Sequence, residues 1–133
     1  MLHNFSGAVM TVEKVNIDGN AENMTNIWTS KHSGQYVISN EGGTVVIDGA
    51  NVYDTHPDVN ASLVVNTSGT MTIKGGATLN HPTTKAVNVK GGKVLVENAT
   101  IFSDKYAIYA AKGTAEVNKA NVTVIGTGTM TED

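Results

Sequence analysis

Cysteine is absent from the chain, which excludes disulfide bridges and thiolate metal centres. Arginine is absent as well: all 9 basic residues are lysines. That removes the side chain best suited to a bidentate grip on phosphate or carboxylate, and with it the expectation of nucleic-acid binding or phosphoryl chemistry. No apolar run is long enough to cross a bilayer, so no membrane insertion is expected. The first residues, MLHNFSGAVMTVEK, carry neither the basic leader nor the apolar stretch of a secretory signal. Aromatic residues make up 5% and charged residues 16% of the chain, with a net charge of −3. A surface of that kind is neutral to slightly acidic. With 133 residues the chain has the size of one domain.

What the sequence does contain is a short pattern written four times. The segments TVVIDGANV (44–52), TMTIKGGATL (70–79), KVLVENATI (93–101) and TAEVNKANV (114–122) align on Ile47, Ile73, Val96 and Val117. An alanine follows in each (Ala50, Ala77, Ala99, Ala120), and two residues later Val52, Leu79, Ile101 or Val122. The aligned residues lie 26, 23 and 21 positions apart. Strand, tight turn and strand in a fixed order, with excursions of variable length, is the pattern of a repeat that buries its apolar residues only against its neighbours.

A third apolar segment stands between repeats: SLVV (62–65), KAVNV (85–89) and YAIYA (106–110), each followed by a glycine-bearing turn. Period-two alternation collects Leu63 and Val65, Val87 and Val89, and Ile108 and Ala110 on one face, leaving Val64, Asn88 and Tyr109 on the other. Three short strands per repeat predict a right-handed, single-stranded parallel β-helix of about four to five short coils. Its expected limits are an N-terminal arm or cap over residues 1–14, the β-helix over 15–124 and a tail over 125–133.

The phrases GGTVVIDGANV, GTMTIKGGATL, KAVNVKGGKVLVENATI and YAIYAAKGTAEV resemble the pectate-lyase-like β-helix repeats of bacteriophage virion proteins (decoration proteins, fibres, tailspikes) and bacterial surface adhesins. The resemblance covers about 80 residues and implies architecture; the superfamily hosts enzymes, adhesins and structural proteins alike.

A stack this short exposes apolar core and unpaired ladder groups at both ends, which something must cover. Residues 15–24 (VNIDGNAENM) echo 45–54 through Ile17, Asp18 and Gly19, suggesting a degenerate first coil. Its excursion holds the only tryptophan, Trp28, read as a plug over one end or as a stacking or contact residue. Tyr36 and Ile38 then match the third-strand face. Leu2, Phe5, Trp28 and Tyr36 are the candidate partner contacts.

Catalytic residues are not expected. The column Asp18, Asp48, Lys74, Glu97, Asn118 is of mixed sign, as on a solvated face, and no paired carboxylates suited to glycoside hydrolysis stand out. His56-Pro57 and His81-Pro82 recur 25 residues apart, so His56 and His81 could share a metal. The simpler reading is a repeated turn shaped by proline, and neither a metal nor another cofactor is called for. Six Asn-x-Ser/Thr triplets (Asn4, Asn23, Asn60, Asn66, Asn98, Asn121) follow from a composition suited to turns, where stacked asparagines form amide ladders.

The expected function is non-enzymatic: a structural or display protein of a bacteriophage virion, docking on the major capsid protein or another virion component, with a host-surface glycan as a possible further contact. The expected assembly is a homo-oligomer, a trimer foremost, at the virion surface. The alternative is a repeat domain of a bacterial surface adhesin, located on the cell surface and binding host glycans or proteins along its flank.

Overall fold

The structure, a computed structural model, describes residues 2–18, 36–53, 62–81 and 85–125. These residues are all-β, and every strand pairing among them is parallel. In chain order the strands are β1 (Leu2–Phe5), β2 (Val9–Glu13), β3 (Asn16–Asp18), β4 (Ile38–Asp48), β5 (Asn51–Tyr53), β6 (Ser62–Lys74), β7 (Ala77–His81), β8 (Lys85–Val89), β9 (Lys93–Ser103), β10 (Tyr106–Ala110) and β11 (Thr114–Ile125). They join in one strongly curled sheet whose main path runs β1-β4-β6-β9-β7-β5-β3.

Pairing follows the repeats. Each pass of the chain lies beside the one before, so that Val12 pairs with Ile47, Ile47 with Ile73, Ile73 with Val96 and Val96 with Val117. The four aligned positions thus share one column. Ile47, Ile73 and Val96 are fully buried there, each such side chain contributing about 1.5–3 kcal/mol by leaving water. The segments TVVI, TMTI and KVLV suit this place because alternate residues turn inward while their β-branched or unbranched neighbours tolerate a half-exposed pleat. A second column holds Ile17, Val52, Leu79, Ile101 and Val124.

Three expectations of register need correction. Val12, not Ile17, stands beneath Ile47, so Glu13 and not Asp18 precedes Asp48 in the mixed-sign column. Within the expected N-terminal arm or cap, β1 and β2 both pair with β4. In the last pass Val122 lies beside Ala99 and Val124 beside Ile101, because the register slips between Asn118 and Val122. In the third segment Val64, not Val65, shares a column with Ile38, Val87 and Ile108, while Val65 stands with Ser39, Asn88 and Tyr109. The alternation fails as a guide there because Ser62–Asn66 is buried on both faces, as the near-continuous apolar runs of parallel sheets are.

The corner between the third segment and the next register strand fixes these registers. A Cβ built on Gly69 would overlap the carbonyl oxygen of Gly43, one on Gly92 that of Gly69, and one on Gly113 would lie 2.6 Å from that of Gly92. Gly69, Gly92 and Gly113 also have φ of +77°, +68° and +96°, where an L side chain is strained. Beside this column runs a buried amide ladder. Asn4 Nδ2 donates to Asn40 Oδ1 at 3.1 Å, and Asn40 Nδ2 to Asn66 Oδ1 at 2.7 Å. The carbonyls of Gly43, Ser68 and Thr70 lie 3.0–3.1 Å from Asn40 Nδ2 and share its two hydrogens with Asn66 Oδ1, and Asn66 Nδ2 donates to the carbonyl of Gly91 at 2.7 Å. The side chains therefore satisfy corner carbonyls that the strand ladder leaves over.

Gly69→Ala is expected to lower the unfolding free energy by about 3 kcal/mol or more, combining a backbone clash with left-handed strain. Gly76→Ala, at φ +79° with open space around its would-be Cβ, should cost only about 1–2 kcal/mol. Equal shifts of the two urea midpoints would contradict the close-approach argument. Asn40→Ala, which strips several buried carbonyls of a donor, should cost about 2–3 kcal/mol in the same measurement.

Candidate functional site

Of the six exposed large apolar side chains among the described residues, four stand on the first pass, with Tyr109 on β10 and Ile125 on β11 as the others. Leu2, Phe5, Val9 and Val15 are 36%, 61%, 74% and 44% exposed, whereas among the described residues no large apolar side chain of β4 to β9 is. Their strands put them there. β1 and β2 pair with β4 on one side only, so Leu2, first in the column that continues with the fully buried Ile38, has no described pass beyond it. Val9 likewise precedes Thr44 in its column.

Phe5 belongs to an aromatic cluster at this end. The His3 ring stacks on Phe5 at 6.1 Å between centroids with planes 13° apart, and meets Tyr36 edge-on at 5.6 Å. His3 Nδ1 lies 3.9 Å from a Glu41 carboxylate oxygen, and both side chains are partly exposed. Three of the four candidate contacts, Leu2, Phe5 and Tyr36, thus fall at one end of the sheet, with Phe5 and Tyr36 joined through His3; Trp28 lies outside the described residues. Sequence reasoning missed His3, whose place between Phe5 and Tyr36 depends on β1 pairing with β4 across more than 30 residues.

A second cluster lies on the flank at the opposite end. Tyr106 and Tyr109 have ring centroids 5.4 Å apart, Lys85 Nζ sits 4.6 Å above the Tyr109 ring, and Lys105 Nζ 5.6 Å from that of Tyr106. Each is a cation–π geometry, contributing about 0.5–1 kcal/mol at an exposed site. The sequence offered no signal for it, since Lys85 and Tyr109 meet only because β8 and β10 pair.

The remaining candidates separate. His81 is fully buried at the end of β7, on the inward face with Ala77 and Leu79 and paired with Ser103; His56 lies outside the described residues. Among the described residues no group of three or more histidine, cysteine, aspartate or glutamate side chains converges as a metal site would require. In the mixed-sign column Glu13 pairs with Asp48, Asp48 with Lys74 and Glu97 with Asn118, and Lys74 Nζ lies 3.6 Å from Asp48 Oδ2. At that exposure the pair contributes at most about 1 kcal/mol. Among the described residues no helix is long and apolar enough to cross a membrane.

Because Phe5 and Val9 are exposed, the double substitution Phe5→Ser, Val9→Ser should move the urea midpoint by the equivalent of less than about 1 kcal/mol. A larger loss would show that the first pass packs within its own fold rather than outward. No protein-family model, curated protein or solved structure matches this chain.

Proposed function

We propose that the chain is a non-enzymatic structural and display protein, a right-handed parallel β-helix that docks by its first pass on a component of a bacteriophage virion. The observation that carries this reading is the concentration of exposed apolar side chains, Leu2, Phe5, Val9 and Val15, on that pass. An apolar end rimmed by His3 and Glu41 has the make-up of a protein contact, with a hydrophobic centre and a polar edge. The β-helix reading is supported by successive passes in parallel register and by a left-handed residue at the corner after each of the first four register strands, namely Lys14, Gly49, Gly75 and Asn98. A homotrimer, the expected assembly, would cover apolar side chains that docking leaves exposed.

The adhesin reading differs in where contact is made. It places recognition along the flank, and the tyrosine–lysine cluster on β8 and β10 is the observation in its favour.

Solution mass and particle co-purification test the docking reading together. The native protein should be found in purified virions, or the full chain as a trimer, and the Phe5→Ser, Val9→Ser variant should lose the association with particles while keeping its far-ultraviolet circular dichroism. A folded, strictly monomeric chain absent from particles would overturn it.

A further inference from the structure

The flank cluster has the makings of a binding site that end docking does not use. Register pairing sets Tyr106 beside Lys85 and Tyr109 beside Asn88, about 4.8 Å apart across the ladder. Tyr109 is 38% exposed. Asn88 is nine-tenths buried, and its amide nitrogen donates to Ser62 Oγ at 3.1 Å. Its carbonyl oxygen finds no hydrogen-bond donor among the described residues. That oxygen is closed to solvent, so Asn88 belongs to the packing of the strand and contact falls to the exposed tyrosine and lysine side chains.

Charge on this flank runs against the rest of the chain. At the cluster itself Lys85 and Lys105 stand against one acid close in sequence, Asp104, in a protein of net charge −3, and Lys90 and Lys112 follow beyond the far ends of β8 and β10. Lys93, just beyond, is already held by Glu116 at 2.6 Å. Tyrosine rings and ammonium groups ask for two different things. A neutral sugar supplies a C–H ring face but no charge. An acidic peptide supplies charge but no such ring face. An acidic sugar carries both on one residue.

We propose that Lys85, Lys105, Tyr106 and Tyr109 form a binding site for an anionic polysaccharide. The sugar's ring C–H face lies on the tyrosines, and Lys85 and Lys105 neutralise the anionic group. Lysine is a compact, strongly hydrated charge without arginine's bidentate fork, so the site accepts carboxylate and sulfate alike and its affinity falls with salt. The inference deepens the surface-contact role read for this flank and is independent of end docking.

Fluorescence polarisation with labelled hyaluronan and heparin oligosaccharides tests it on the full chain, with dextran as neutral control and poly-L-glutamate as acidic-peptide control. The expected result is saturable binding to at least one anionic glycan, with hyaluronan reporting carboxylate and heparin sulfate recognition. Tyr109→Ser and Lys85→Gln should each raise Kd at least tenfold, whereas Lys74→Gln, outside the cluster, should leave it unchanged. The Phe5→Ser, Val9→Ser variant should bind glycan as the parent does, which separates failure of this site from failure of end docking. Absence of binding to both glycans, tighter binding to poly-L-glutamate, or unchanged affinity in both flank variants would overturn the proposal.

Discussion

Close approach of one backbone to the next at a single corner governs this molecule. Gly43, Gly69, Gly92 and Gly113 leave no room for a side chain between passes, and once those carbonyls are stacked the register of the strands that follow is set to the residue. A one-residue slip would put every inward side chain of a strand on the other face. The amide ladder of Asn4, Asn40 and Asn66 makes the corner tolerable by donating to carbonyls that such crowding would otherwise strand. Where the ladder stops, Val89 and Ala110 occupy the column of the asparagines, and backbone amides of residues 90 and 91 turn back to Asn66 O. The corner is thus closed by two different devices along one stack.

The columns of the register strand were legible in the sequence because one face of each strand is buried and the other is not. Ile47, Ile73, Val96 and Val117 announce themselves by spacing, and the ladder joins them. The third segment was harder to place. Ser62–Asn66 is buried on both faces, so period-two alternation carries no phase and the reading fell one residue out. VNIDG was a decoy for a different reason. It repeats the letters of VVIDG, yet Val12 in VMTVE sits under Ile47; composition alone cannot choose between two frames five residues apart. The site divides in the same way. Leu2, Phe5 and Tyr36 could be singled out as apolar or aromatic residues outside the repeat. Contacts made across passes, such as His3 with Tyr36 or Lys85 with Tyr109, exist only once register is known.

Inward and outward side chains differ in kind. Described side chains turned inward are chiefly aliphatic, with Asn4, Asn40, Asn66, Asn88, Ser39, Ser62, Ser103 and His81 as the buried polar exceptions. What distinguishes one region of the surface from another is the end, with its apolar residues and the His3 cluster, and the flank, with its tyrosines and lysines. A scaffold whose backbone fixes side-chain columns can vary its contacts by changing outward residues alone, without disturbing the layers beneath.

The slip inside β11 has a consequence for growth of the sheet. Parallel edges of uniform register are templates onto which another chain can add strand by strand. Between Asn118 and Val122 the last strand carries two more residues than its neighbour does between Glu97 and Ala99, and irregularities of this kind twist and interrupt an edge. An incoming strand matched to residues 114–118 would be out of step over 122–125. On the side away from β9, β11 thus matches throughout only a strand that carries a corresponding insertion.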